Sequence, residues 1–227
     1  CAAYTDGSDV ITPVTGCPPD SLLTPAGSAV TPMATLRGLE EAARRIASVA
    51  PAGGTFLVAT GHPGNLLLLY MELACLIRDR GGRVIEPARG AWVPPNLSLD
   101  YMAGVAVTTD GRSLLHAHDC RAMELMLEAA ESVDLVVADH GFAGAAIVAG
   151  IPVVAVLNAN DPLPALARRL GADVTLIPMD GNLSPSAYLP LAGLVRDLVE
   201  APWVEAGLPE YSVAWCDRGQ RVRTTAH

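Results

Sequence analysis

The 227-residue sequence contains no lysine, so all 15 of its basic residues are arginines. This absence excludes catalysis through a lysine Schiff base and phosphate binding through the lysine of a P-loop. A high-GC coding bias is the simplest explanation for the missing residue type. Against 24 acidic residues the formal net charge is −9, and such a surface repels nucleic acids and anionic membranes. We therefore expect neither to be a main partner.

Cysteine is also scarce and irregularly spaced. The absence of any CxxC pair excludes a zinc knuckle, and an odd number of scattered cysteines favours a reducing compartment. We therefore expect a cytoplasmic location. The cysteines are Cys1, Cys17, Cys75, Cys120 and Cys216.

Long uninterrupted apolar runs are missing, although 51% of the residues are hydrophobic and only 17% are charged. The stretch 65–77 is too short to cross a bilayer, and 135–157 contains Asp139, His140 and Pro152. Both stretches are more typical of core elements. The composition excludes a disordered chain, and the length suits one domain with a sizeable core.

Composition divides the chain into three parts. Residues 1–31 are rich in Thr, Pro, Gly and Ser without a sustained period, which predicts an irregular N-terminal arm. Residues 32–200 alternate short apolar runs with helical runs, and we predict a single domain there. Residues 201–227 are expected to form a tail that packs on this domain or on a second subunit.

The alternation within 32–200 predicts an α/β fold, a doubly wound (Rossmann-like), mainly parallel sheet with helices on both faces and one inserted hairpin. Asp110-Gly111 is a favoured pair for a two-residue hairpin turn. Thr31 followed by Pro32 predicts the start of the first helix of the domain. Strands are expected at 55–60, 83–87, 105–109, 113–117, 134–139, 152–157 and 173–178, and helices at 32–50, 65–80, 119–132, 142–149, 162–171 and 186–200.

Polar residues concentrate in four loops that follow predicted strands. In an open parallel sheet, ligands bind outside the carboxyl ends of the strands, because loops and helix N-termini converge there. The sequence therefore predicts a ligand site formed by Gly61-His62-Pro63-Gly64, Asp139-His140-Gly141, Asn158-Ala159-Asn160-Asp161 and Met179-Asp180-Gly181-Asn182.

Histidine and aspartate suggest a metal centre at this edge. His116 and His118 alternate on a predicted strand, so both imidazoles would face the same side and bind one divalent ion, with Asp139 as a further ligand. An exposed strand with a polar face is the alternative interpretation. Asp139 and His140 also suit acid–base catalysis, unless Asp139 only caps a helix and His140 lies on the rim.

The turn from Thr60 to Asn65 predicts an anion site, because the first amides of a helix attract phosphate or carboxylate. An ordinary tight turn is the alternative. Substrate contacts or simple Asx caps would equally explain the polar residues of the later loops. The predicted substrate-binding residues are Gly61, His62, Gly64, Asn65, Asn158, Asn160 and Asp180.

Five ordered motifs carry a resemblance to a known family. They are ATGHPGNLL (59–67), LLHAH (114–118), DLVVADHGFAGAA (134–146), NANDP (158–162) and PMDGNLSPSAYLP (178–190). In order and spacing they resemble a family of bacterial proteins that bear the name phosphatase. The resemblance extends over about residues 55–190 and implies phosphomonoester hydrolysis. It points to His62, His116, His118, Asp139, His140 and Asp161.

The leading hypothesis is a metal-assisted phosphatase that acts on a small phosphorylated metabolite. His116, His118 and Asp139 would hold the ion, the Gly61–Gly64 turn would bind phosphate oxygens, and His140 or Asp161 would transfer protons. One alternative is an isomerase or lyase that uses Asp139 and His140 on a carboxylated substrate. Another is a ligand-binding protein without catalysis. The apolar composition also makes a homodimer a reasonable expectation.

Overall fold

The computed structural model describes residues 8–15, 30–158 and 161–200, which form nine strands and seven α-helices. The strands are β1 (Thr55–Ala59), β2 (Arg83–Val84), β3 (Trp92–Val93), β4 (Leu97–Met102), β5 (Val105–Thr109), β6 (Leu114–Leu115), β7 (Leu135–Asp139), β8 (Val153–Leu157) and β9 (Val174–Pro178). The helices are α1 (Ser8–Thr15), α2 (Pro32–Val49), α3 (Pro63–Asp79), α4 (Arg121–Ala129), α5 (His140–Val148), α6 (Leu163–Arg169) and α7 (Leu189–Glu200), with short 3-10 turns at Ala50–Ala52 and Pro185–Ala187.

Most of the sheet is parallel and buried on both faces. Its order is β3-β4-β5-β1-β7-β8-β9, with β2 paired to β1 and β6 paired to β5. β1, β7, β8 and β9 are parallel neighbours, and every residue in these four strands is buried. Continuous Val, Leu and Ile runs favour such doubly covered strands. The predicted α/β fold with a mainly parallel, Rossmann-like sheet is confirmed.

Alternate residues of β1 show how both faces are covered. Phe56 and Val58 belong to an apolar cluster with α2, α3 and α7. Leu57 and Ala59 belong to a second cluster with α4, α5 and α6. Because successive side chains of a strand point to opposite faces, the two clusters lie on opposite sides of the sheet. The helices therefore begin and end at the sheet edges, where the polar loops are.

An antiparallel extension of the sheet goes beyond the single predicted hairpin. β5 and β6 form that hairpin, but β6 is only two residues long, and four residues, 110–113, connect the strands. β4 pairs with β5 over residues 98–102 and was not predicted. Ala103 and Gly104 connect β4 to β5 with φ values of 52° and 94°. An alanine therefore occupies one of the two turn positions, in a backbone conformation that favours glycine. The predicted strand 83–87 is reduced to Arg83–Val84.

The predicted start of α2 is also found. Thr31 Oγ1 accepts a hydrogen bond from Ala34 N over 3.3 Å, and Pro32 occupies the first helical position. The expectation of irregular structure throughout residues 1–31 is wrong for Ser8–Thr15, which form α1. Thr31 ties this helix to the domain through Thr15 O. The expected tail at 201–227 lies outside the described residues.

Both apolar stretches considered above lie within core elements. Residues 65–77 belong to α3, and residues 135–157 contain β7, α5 and β8. No helix in the described part of the chain combines the length and the apolar character that a membrane span requires.

Candidate active site

The carboxyl ends of β1 and β7, which are neighbours in the sheet, form the base of the candidate site. Thr60 Oγ1 donates a hydrogen bond to Asp139 Oδ2 over 2.7 Å, and Gly61 N–H donates one to Asp139 Oδ1 over 2.6 Å. Thr60 Oγ1 in turn accepts a hydrogen bond from His62 N over 3.0 Å. The Asp139 carboxylate therefore fixes the turn that carries His62 into α3.

Asp139 makes contacts that differ from those expected. It is buried, and both carboxylate oxygens accept hydrogen bonds that offset the loss of hydration. His62 Nδ1 lies 3.9 Å from Asp139 Oδ2, beyond hydrogen-bond distance. The Asp139 side chain also does not cap α5. These contacts support a positioning residue and differ from both predicted roles, metal ligand and acid–base partner of His140.

His140 is paired with Asp161 instead. His140 Nδ1 lies 3.1 Å from Asp161 Oδ2, and its side chain is 9% exposed. The backbone of His140 has a φ of 43°, in the left-handed region that residues other than glycine rarely adopt. Such strain concentrates at functional sites, where the surrounding structure stabilises it. Asp161 N–H donates to Asn158 O over 3.1 Å, which holds this carboxylate near the end of β8.

His116 and His118 lie close to His62 and His140, but not through strand alternation. Both residues follow β6, which ends at Leu115, so they project from a loop. Their Nε2 atoms lie 2.6 Å apart, a distance that lets one ring donate a hydrogen bond to the other. The expectation that they share one face of a strand is therefore wrong, although they do converge on the site.

The His116–His118 loop is positioned by two glycines. Gly61 O accepts a hydrogen bond from Ala117 N over 2.9 Å, and a Cβ at Gly61 would lie 2.1 Å from Ala117 O. A Cβ at Gly141 would lie 2.2 Å from His118 O. Neither position can accept a side chain without a shift of the backbone. Glycine therefore allows the loop to pack directly on the starts of α3 and α5.

Four imidazole rings form a compact cluster. The ring centroids of His62 and His116 are 4.0 Å apart, and those of His62 and His140 are 4.3 Å apart. His118 stacks on His140 at 4.1 Å, with the ring planes 7° apart. One ring nitrogen each from His62, His118 and His140 lies within 4.8 Å of the others. These three side chains could hold a metal ion together, a set that shares only His118 with the predicted one.

Partial burial and mutual repulsion favour the neutral forms of His116 and His118. Burial is the largest cause that lowers the pKa of His116, followed by the charges of His62, His118 and His140 when protonated. Burial likewise lowers the pKa of His118, followed by His140 and His62. A neutral imidazole is the form that binds metal ions, so this environment prepares His118 for that role.

The predicted anion site at residues 60–65 is largely occupied by internal hydrogen bonds. Gly61 N–H is bound to Asp139, His62 N–H to Thr60, and Asn65 N–H to His62 O. Within the described residues, the amide of Gly64 is the one in this turn without an acceptor. The Gly61 and His62 amides are therefore not free to bind phosphate oxygens.

The outer predicted residues make mainly structural contacts. Asn65 Nδ2 donates to Leu183 O over 2.7 Å, and Gly181 N–H donates to the buried Asn158 Oδ1 over 2.7 Å. Asp180 Oδ1 accepts from Asn182 N over 2.9 Å, as expected for an Asx turn. Asn160, a further predicted substrate ligand, lies outside the described residues.

Sequence reasoning gave Thr60 no role of its own and missed Tyr70. Thr60 is a buried hydroxyl at the end of β1, and its position directly before Gly61-His62 was the available signal. Tyr70, on α3, is buried, and its hydroxyl has no hydrogen-bond partner within the described residues. Burial raises the pKa of Tyr70 well above its ordinary value, and the nearby Asp139 charge adds to this effect. Tyr70 therefore stays protonated at neutral pH.

A groove of about 780 Å³ opens from the histidine cluster and extends between α4 and α5. Its inner end is formed by His118, His140 and Asp161, and small residues of α5 form one side. This size is within the usual range of small-molecule sites, about 300–1,000 Å³. The remaining lining residues are Cys120, Glu124, Leu127, Glu128, Gly141, Gly144, Ala145, Val148, Ala149 and Leu163.

The fold and the site together describe an α/β protein with a histidine- and aspartate-rich centre at the carboxyl edge of its sheet. A family model described as Phosphatase matches residues 7–201. The chain is 34% identical over 168 residues to a Streptomyces coelicolor protein that bears the name phosphatase. The aligned region spans 71% of this chain and 64% of that relative. No solved structure matches the chain.

The chain therefore belongs to the Phosphatase family, as the resemblance implied. It spans less than two thirds of the length of this curated relative.

Proposed function

We propose that the protein is a metal-assisted phosphatase that hydrolyses a small phosphorylated metabolite. The observation that carries this proposal is the convergence of His62, His118 and His140, whose ring nitrogens lie within 4.8 Å of one another. These residues come from chain segments that are far apart in sequence. Membership in the Phosphatase family supplies the reaction class.

The side chains present fit a divalent transition metal. Three imidazoles are a common ligand set for a catalytic zinc ion, and imidazole also binds other late transition metals. His62 Nδ1 is buried without a hydrogen-bond partner within the described residues, which is costly unless a ligand occupies it. When bound, such an ion lowers the pKa of a water molecule and stabilises charge on phosphoryl oxygens.

Other side chains of the site orient the histidines that would hold the ion. Asp161 Oδ2, 3.1 Å from His140 Nδ1, favours a proton on that nitrogen and leaves Nε2 directed away from the carboxylate. His116 lies within hydrogen-bond distance of His118 and restricts the rotation of that ring. Asp139 acts indirectly, because its hydrogen bonds to Thr60 and Gly61 hold the Thr60–His62 turn.

Backbone amides and histidines supply the polar contacts for phosphate. The first turn of α5 has no side-chain cap, so its amides are available at this edge of the sheet. None of the described residues that line the groove is an arginine. Without a lysine in the sequence, the charge of a bound phosphate requires a metal ion or these amides.

The Asp161–His140 pair also suits proton transfer on a carboxylated substrate, so an isomerase or lyase is the second candidate. The two candidates differ in whether phosphate is released. A ligand-binding protein without turnover would release none and would convert no carboxylated substrate either.

The test is phosphate release from a panel of phosphomonoesters by the full chain, before and after metal removal with a chelator. We expect release to stop with the chelator and to return when a divalent transition metal is added. His118→Ala should abolish metal retention, measured by elemental analysis. Glu131→Gln, an exposed change before β7 at the opposite edge, is the matched control. Full activity of metal-free protein would refute the role of the metal.

The location and the assembly of the protein stay predictions. Cys75 and Cys120 are exposed and free, as expected for the cytoplasm. A homodimer would appear as a doubled molar mass in light scattering.

A further inference from the structure

The outer face of α5 is apolar and uncovered. Between His140 and Val148 the helix carries no polar side chain, and Phe142, Ala143 and Ala146 pack on the sheet. Gly144 and Val148 line the groove on the other side, and Val148 is 87% exposed. A helix that is apolar on all sides is normally buried on all sides.

The opposite wall of the groove, formed by α4, is acidic. Glu124 and Glu128 line it, and both contact the Arg121 guanidinium, at 3.1 and 3.2 Å. The Arg121 guanidinium therefore forms ion pairs with both carboxylates. Its hydrogen bond to Glu124 is also the largest cause that lowers the pKa of that carboxyl, which is ionised at neutral pH.

The charge of the groove restricts what can lie in it. Among the described lining residues, Glu124, Glu128 and Asp161 are acidic and none is an arginine. Since Arg121 is one positive charge beside these three carboxylates, a second phosphate or carboxylate in the groove would face a net negative charge. An apolar group would instead cover Val148 and Leu163, which is 47% exposed.

We propose that this groove, bounded by α4, α5 and Leu163, holds the alcohol part of the substrate. It selects phosphomonoesters whose alcohol is apolar or amine-bearing and carries no second anionic group. The inference rests on the proposed function, because the phosphate is taken to lie at the histidine cluster. The groove is continuous with that cluster through His118, His140 and Asp161, which line both. This continuity favours substrate as the occupant over a second copy of the chain.

The test compares naphthyl phosphate, glycerol phosphate and a sugar bisphosphate with the full-length protein. We expect the highest kcat/KM for naphthyl phosphate and the lowest for the bisphosphate. Val148→Asp should lower the ratio of kcat/KM between naphthyl and glycerol phosphate by about tenfold, a usual effect of a changed apolar pocket. Leu170→Asp, at a residue that is 79% exposed and outside the groove, should leave this ratio unchanged.

Binding of naphthyl phosphonate, which cannot be hydrolysed, separates this inference from the proposed function. Weaker phosphonate binding by Val148→Asp supports the role of the groove, even if no ester is hydrolysed. The absence of ester hydrolysis would refute only the phosphatase activity. Phosphate release with equal kcat/KM for all three esters overturns the groove and leaves the phosphatase intact. A changed molar mass of Val148→Asp with an unchanged ratio means that a second copy covers α5, which also overturns the inference.

Discussion

Replacement of Asp139 by asparagine tests whether this carboxylate holds the turn or binds a metal. The substitution keeps the volume of the side chain but removes its charge. Thr60 Oγ1 and Gly61 N–H both donate to it, over 2.7 and 2.6 Å, and the side chain is buried. Asparagine offers an oxygen to one of these donors, while its amide group would face the other.

The expected loss follows from the strength of these two hydrogen bonds. A hydrogen bond to a charged group contributes about 1.5–3 kcal/mol, and a neutral one about 0.5–1.5 kcal/mol. The change from two charged bonds to at best one neutral bond should therefore lower the free energy of unfolding by about 2 kcal/mol or more. For a chain of this size, 2 kcal/mol corresponds to a decrease in Tm of about 4–8 °C.

The assay is urea and thermal unfolding of chelator-treated protein, so that metal binding does not contribute. Thr60→Val removes one donor, and a double-mutant cycle with Asp139→Asn should give a coupling energy of about 1 kcal/mol. If Asp139 were only a metal ligand, its buried charge would be unpaired in metal-free protein, and asparagine would be neutral or stabilising. Unchanged stability of metal-free Asp139→Asn would therefore refute the positioning role.

Three further predictions follow from the contacts of the site. Gly141→Ala should destabilise the protein by about 1–3 kcal/mol in urea unfolding and weaken metal retention, because its Cβ would meet His118 O. Gly64→Ala, whose Cβ would have nothing within 4 Å, should leave the free energy of unfolding unchanged. Asn158→Ala should lower the free energy of unfolding by about 1–3 kcal/mol by leaving Gly181 N–H without an acceptor, and Asn158→Asp should restore most of it. Because the pKa values of His116 and His118 are lowered in the folded state, the unfolded chain binds more protons as the pH falls from about 7 to 5. The free energy of unfolding should decrease over that interval. Replacement of both histidines by glutamine should make the Tm less dependent on pH. A steeper pH dependence in that variant would contradict the reasoning.

The sequence was sufficient for the parallel part of the fold because its signals are local. The apolar runs at 55–60, 134–139, 152–157 and 173–178 match β1, β7, β8 and β9 within a residue or two. β4 was missed because LSLDYM is only partly buried and is an ordinary mixed sequence. Its place in the sheet comes from pairing with β5, a tertiary contact that no local pattern encodes.

The candidate site was predicted in location but not in detail. The rule that loops converge at the carboxyl edge correctly brought His62 and His140 together, whereas His116 and His118 reach them from a loop and not from the predicted strand face. It could not distinguish Asp139 from Asp161, since both follow buried strands. That distinction depends on side-chain direction: Asp139 turns towards the Thr60–Gly61 backbone, and Asp161 reaches His140.

The histidines differ in how firmly the chain holds them. His62 and His140 begin helices α3 and α5, so their positions are fixed by the sheet. His116 and His118 follow the two-residue strand β6 and are exposed, and the Ala117–Gly61 hydrogen bond ties their loop to the sheet. Short segments with few buried contacts open most readily in native proteins. A ligand that contacts both pairs of histidines is therefore held by one rigid pair, His62 and His140, and by one adjustable pair, His116 and His118. Its dissociation rate should depend on how often the loop of the adjustable pair opens.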